Sequence, residues 1–291
     1  MSSKKRKKKK TLSLSQKILS QLKKKHRDIS FVLTLLALFS LFSFIGTFAW
    51  FTSADNVSNK FDGGKLIAEI DETFIPNEKW EPGEETEKQV RIANTGDIPA
   101  FVRVSLYEFI LNFEVDLEDQ TGNANLKTVD QAKRPEVDVD NTDTWKPAAD
   151  GKGTFKHNNQ YYVANQAWVS DPKNKKDMYL FDQLRVDPPK KYITLGFSTK
   201  IRFNVDPNPT SDYWLYSNGY FYYSRPLKPG EKSDDLLKNM TLSDSIPNKY
   251  KGSLYKLKIY MDAHDVTAPV TSAWELQPGE EAYKLLENQL K

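Results

Sequence analysis

Three histidines, His26, His157 and His264, are the first residues to test for chemistry in a chain that has no cysteine. A zinc peptidase of the His-Glu-x-x-His kind places two imidazoles on one helical face with a glutamate base between them. His157 is followed by Asn-Asn-Gln and His264 by Asp-Val-Thr, so neither has a partner at that spacing. His264 stands between Ala263 and Asp265, which superficially suggests part of a triad. Sequence neighbours on a strand point to opposite faces, and no Gly-x-Ser-x-Gly elbow accompanies them. His264 is therefore expected to be an exposed strand-end residue. Zero cysteine also removes thiol catalysis and zinc–thiolate sites. Glu136-Val-Asp138-Val-Asp140-Asn141 opens like a calcium loop, because alternating carboxylates suit a hard cation. Such a loop needs glycine at its sixth position and glutamate at its twelfth, where this chain has Asn141 and Pro147. The expectation there is a solvated acidic loop, with calcium binding as the alternative. No catalytic residue, no metal ligand and no cofactor emerges from these patterns. A carboxylate–histidine site assembled in three dimensions is the enzymatic alternative.

The elements around these residues read as strands. Tyr255, Leu257, Ile259, Met261 and Ala263 share one face of an alternating run, with Lys256, Lys258 and Asp262 on the other. Val90 and Ile92 alternate with Gln89 and Arg91, and Val102, Val104 and Leu106 with Arg103 and Ser105. Further strands are expected at 66–70, 161–164, 192–205, 214–216, 220–223 and 240–242. Turn signals separate them at Pro82-Gly83, Thr95-Gly96, Asn218-Gly219 and Pro229-Gly230. Asn218-Gly219 between two aromatic runs is a hairpin signal, since a type I′ turn requires positive φ at both positions. The aromatics on its arms suit cross-strand packing or, alternatively, a surface patch for a carbohydrate or a partner strand. Pro-Gly-Glu recurs at 82–84, 229–231 and 278–280 and reads as turns, not as a phosphate cradle. Residues 112–159 are polar, Asp-rich and poor in aliphatics, and read as a long insertion or loop excursion. Residues 280–290 look helical. The fold class is all-β: a jelly-roll or immunoglobulin-like two-sheet sandwich with a polar insertion and a short C-terminal helix.

Location is written at the other end of the chain. Residues 29–49 carry no charge and follow twelve Lys and Arg. A stretch of about 20 apolar residues can cross a bilayer, and the basic flank stays in the cytoplasm. The layout is a cytoplasmic polybasic region at 1–28, a signal or transmembrane helix at 29–49, a lead-in at 50–65 and the β domain at 66–291. Thr47 and Ala49 offer the small residues of a cleavage site before Trp50, and retention as a membrane anchor is the alternative. The polybasic run is a positive-inside flank that can also touch anionic lipid. Beyond residue 49 the chain has 30 Lys and Arg against 38 Asp and Glu, a net charge of −8. An acidic exported domain is a poor partner for nucleic acid. Without disulfides it must be held by a core, for which six Trp, fourteen Tyr and sixteen Phe are available.

Several of these segments together resemble a known family. Thr47-Phe48-Ala49-Trp50-Phe51-Thr52, followed by Asp55-Asn56-Val57, Asn59-Lys60-Phe61 and Gly64, looks like an export signal handled by a SipW-type signal peptidase. Glu72-x-Phe74, Pro82-Gly83-Glu84, Lys88-x-Val90, Asn94-Thr95-Gly96 and Pro99 to Val104 are similar to the opening of TasA/camelysin-like alternate signal-mediated exported proteins. Gly219 to Tyr223 and Leu227-x-Pro229-Gly230-Glu231 resemble that group's later hairpin. The resemblance implies a jelly-roll subunit of the cell surface or biofilm matrix. In TasA-like members an N-terminal segment completes the sheet of the next subunit, a strand addition that propagates into fibres. Here Trp50, Phe51, Val57 and Phe61 would be its anchors. A membrane-anchored binding module, and a camelysin-like metallopeptidase, are the alternatives.

Overall fold

The computed structural model describes residues 65–74, 82–118, 126–250 and 252–291. The expected signal helix at 29–49 and the lead-in as far as residue 64 lie outside them. In chain order the strands are β1 (Ala68–Phe74), β2 (Glu85–Asn94), β3 (Ala100–Phe113), β4 (Thr128–Val129), β5 (Thr154–His157) and β6 (Gln160–Val169). They continue with β7 (Ile193–Phe197), β8 (Ile201–Arg202), β9 (Trp214–Ser217), β10 (Tyr220–Tyr223), β11 (Leu237–Leu242) and β12 (Leu254–Asp265). Among the described residues three α-helices accompany them: α1 (Trp145–Ala148), α2 (Val270–Ala273) and α3 (Glu281–Leu290).

The strands form two sheets. The first has the order β1-β2-β11-β7, antiparallel throughout. Its alternating residues divide cleanly: Val90, Ile92, Leu195 and Met240 are buried, while Glu85 and Glu87 face water. One wet face and one dry face is the usual state of an antiparallel sheet. The second sheet has the order β4-β6-β3-β10-β9-β8, with β12 also paired to β3 and β5 to β6. Val104, Leu106, Ile110, Trp214 and Phe221 of this sheet pack with the inner face of the first in one core. Each such side chain contributes about 1.5–3 kcal/mol by leaving water.

The other face of the second sheet is covered as well, in two patches. Phe101, Leu215 and Tyr222 pack under α2 and α3, against Val270, Trp274, Leu285 and Leu286. Tyr107, Phe109, Leu111 and Phe113 pack against Val137, Trp145 and Ala148. β3 is therefore buried on both faces over nearly its whole length. That explains why only 102–106 shows alternation: 107–113 is buried on both sides, with Glu108 and Asn112 buried among its apolar residues, and has no period-two signal.

The structure departs from the sequence reading in three further places. The described parts of 112–159 are built into β3, β4, α1 and β5 and carry a fully buried Trp145, whose indole Nε1 donates to the Asp138 carbonyl at 2.8 Å. One large aromatic supplies a small core that aliphatic content does not reveal. The single strand expected at 192–205 is two, β7 in the first sheet and β8 in the second, parallel to β9. The switch occurs at 198–200, where Ser198 N–H donates to Leu236 and Trp214 N–H donates to Lys200. The first strand begins at Ala68 and runs to Phe74, beyond the expected 66–70. The hairpin has the conformation its sequence requires, with φ of 51° at Asn218 and 84° at Gly219. At Gly219 a side chain is excluded twice over, because a Cβ would also stand 2.7 Å from Met178 Cε.

Candidate functional site

β12 pairs with β3 over twelve consecutive residues, from Leu254 opposite Leu111 to Asp265 opposite Ala100, with no bulge. Which backbone groups this pairing consumes follows from β3. The Leu106 carbonyl accepts from Tyr179 N–H at 2.8 Å, and the Glu108 carbonyl from Ser170 Oγ at 2.8 Å. Both carbonyls thus point away from β12. In an antiparallel ladder their partners, Ile259 and Leu257, are non-hydrogen-bonded positions. The N–H and C=O of Leu257, Ile259, Met261 and Ala263 consequently project from the outer edge of β12. Among the described residues no strand pairs with that edge.

The side chains of the same residues turn inward. Tyr255, Ile259, Met261 and Ala263 are only partly buried, packed at the margin of the core. Leu66, Ala68 and Ile70, leading into and along β1, occupy the equivalent margin of the first sheet. β1 is also an edge strand. Among the described residues, the flank bounded by β1 and β12 therefore presents the outward backbone groups of Leu257, Ile259, Met261 and Ala263, unpaired by any strand, beside a half-covered apolar stripe. Natural sheets blunt such edges with bulges, proline or brevity. β12 has none of the three, and carries as its blunting charges Lys256, Lys258 and Asp262 on its far face.

A polar network is set into the otherwise apolar interior nearby. Glu108 follows Val104 and Leu106 on the core face of β3, with its side chain 5% exposed. Arg185 Nη2 donates to its Oε1 at 2.5 Å and the Tyr255 hydroxyl donates to the same atom at 2.9 Å. The other Arg185 nitrogen donates to the Ile193 carbonyl of β7. Burial, then the Glu108 charge, pushes the Tyr255 phenol well above its ordinary pKa. Lys88, inward on β2, is paired with Glu72 of β1. The aromatic hairpin is likewise interior: Tyr216, Phe221, Tyr222 and Tyr223 are buried. Burial raises Tyr216 and Tyr222 to about 12, with the hydrogen bond to Asp182 adding to the rise at Tyr216. These four side chains serve packing and do not form an aromatic surface patch, and Tyr220 beside them is partly buried under Arg103.

The residues singled out from the sequence are dispersed. Thr47, Ala49, Trp50, Phe51, Val57, Phe61 and His26 lie outside the described residues. His157 ends β5 at the exposed β5–β6 turn. His264, expected to be exposed, is half-buried: its ring lies edge-on to Trp274 and Nδ1 is 2.8 Å from the Asp265 carbonyl oxygen. The packing of α2 beneath the sheet, which the sequence reading omits, covers it. Among the described residues no three His, Asp or Glu side chains gather as metal ligands. In the acidic stretch, Asp138 Oδ1 accepts from Asp140 N–H, Asn141 caps a short 3-10 turn, and Lys256 reaches Asp140 Oδ1 at 3.3 Å. Glu136 pairs with Arg134.

Sequence reasoning missed Glu108, Arg185 and Lys88. For two of them a signal exists: Glu108 and Lys88 each interrupt an apolar face, in register with Leu106 and Val90. Arg185 has no such marker. Among the described residues no helix is long and apolar enough to cross a membrane. No protein-family model matches the chain, and no curated protein matches it.

Proposed function

We propose that this protein is an exported structural subunit of the cell surface or extracellular matrix, which assembles by adding a strand to the open edge of β12. The observation that carries the reading is that edge: twelve residues long, unbulged, with outward backbone groups along an apolar stripe. The finer fold that suits it is a sandwich of the jelly-roll or immunoglobulin kind. Export would proceed through the 29–49 segment, with cleavage by a SipW-type peptidase after Ala49 freeing Trp50 as the new terminus. Segment 50–65 is then the donor, with Trp50, Phe51, Val57 and Phe61 as apolar anchors. Donor and acceptor are different surfaces, so the contact is heterologous and extends into a fibre unless it closes into a ring. No catalytic role is assigned to any residue.

Electron microscopy of the purified mature form, residues 50–291, tests this reading. Filaments that lengthen with protein concentration are the expected result. Monomers at every concentration would overturn it.

A further inference from the structure

Between the two covered patches, the outer face of the second sheet carries a row of hydroxyl side chains that crosses the strands. Tyr260 of β12 stands opposite Ser105 of β3, and Tyr220 of β10, beside Phe221 opposite Val104, continues the row. Tyr220 packs against the margins of both patches. Tyr107, two residues along from Ser105, meets the Tyr260 ring edge-on at 5.3 Å. On the other side the Arg103 guanidinium lies 4.2 Å from the centre of the Tyr220 ring and 4.9 Å from that of Trp274. Asp262 at 2.8 Å and the Trp274 carbonyl at 3.3 Å hold it there. The rings are thus fixed in place around Ser105, the smallest side chain of the row.

Their polar ends come together. Tyr107 is 3% exposed, and burial, then the nearness of Tyr220, Tyr260 and Asp177, pushes its phenol pKa up. Tyr260 is 38% exposed, and among the described residues nothing hydrogen-bonds its hydroxyl or that of Tyr220. Charge narrows what could engage them. Arg103 is paired with Asp262, and Lys175 with Glu275. Around the tyrosines that leaves Asp143, Asp171 and Asp177 against Lys258. Such an acidic rim repels polyanions.

We propose that this strip binds a neutral glycan, with a sugar ring resting on Tyr260 and Tyr220 and its hydroxyls bonded to the phenols and the rim carboxylates. A sugar offers what the strip matches: C–H faces for aromatic rings, and hydroxyls that both donate and accept. Few, rigidly placed polar groups among aromatic side chains are the usual make-up of a small-ligand site. The strip lies on the face of β12 and not on its outer edge. It is therefore available in a single subunit and does not depend on strand addition.

The test runs the full chain, in a polyoxyethylene detergent that carries no sugar, through native gels containing a soluble polysaccharide. Dextran, hydroxyethylcellulose and galactomannan are the neutral probes, and polygalacturonate is the anionic one. Retardation by at least one neutral polymer, and none by polygalacturonate, is the expected result. Tyr260→Ala removes a ring and a hydroxyl and weakens that binding about tenfold. Tyr260→Phe keeps the ring and weakens it about threefold. Tyr220→Phe, which also removes only a hydroxyl, has a similar effect and stands in should the alanine variant fail to fold. Retardation by none of the neutral polymers overturns the site. So does wild-type retardation in all three variants, which would put the sugar elsewhere. Polygalacturonate binding as strong as that of any neutral polymer overturns the choice of ligand.

Discussion

Replacing Arg185 by methionine lowers the free energy of unfolding by about 3–5 kcal/mol, read from the urea midpoint at constant slope. The size follows from what is left behind. Glu108 keeps the Tyr255 hydroxyl but loses the Arg185 guanidinium, in a site where its side chain is 5% exposed. A buried carboxylate without a counter-charge costs several kcal/mol, far more than the pair contributes when intact. The loop loses its tie to the Ile193 carbonyl at the same time. Adding Glu108→Gln to the variant recovers most of the loss, because a neutral amide still accepts from Tyr255 and no charge remains unpaired. A single-variant cost below about 1 kcal/mol, the value of an exposed pair, would contradict the interior placement of this network.

Replacing Ile259 by proline abolishes filament formation and leaves the subunit cooperatively folded. Ile259 N–H belongs to the outer edge of β12, so proline there removes a group that the β3 ladder does not use. The same group is one an incoming strand must engage, and the pyrrolidine ring stands in its way. Lys258→Pro is the control with the opposite outcome. Its N–H faces Tyr107 across the ladder, so that substitution costs about 3 kcal/mol or more of stability. Filaments from the Ile259 variant, judged by sedimentation, would remove this edge from the assembly account.

The contrast between those two positions also marks how far the sequence could be read. The alternation at 255–263 identifies a strand, and which residues share a face follows from period two. Nothing in the run says that β3 lies on one side and nothing on the other, because pairing partners are set by contacts between distant segments. β3 itself was half legible. Its 102–106 portion alternates, while 107–113 is wrapped by the α1 region and lost its pattern. The Asn218-Gly219 turn was fully legible, since both residues are chosen for local backbone geometry. Trp145 anchors its own small core with few aliphatics, so composition suggested a loop where the chain packs. The edge of β12 proposed as acceptor lies within the described residues, while the segment proposed as donor, as far as residue 64, and the proposed processing site do not. The interior carboxylate could have been suspected from its place among Val104, Leu106 and Ile110. Its arginine, 77 residues away in sequence, could not.

Amide hydrogen exchange along β12, resolved by residue, tests the central idea most directly. In the monomer, Leu257, Ile259 and Met261 exchange rapidly while Lys256, Lys258 and Tyr260 are protected by β3. On assembly the first set becomes as slow as the second, since an added strand gives those N–H groups partners. If assembled material keeps Leu257, Ile259 and Met261 exchanging at the monomer rate, subunits are joined elsewhere and the edge of β12 is not the site.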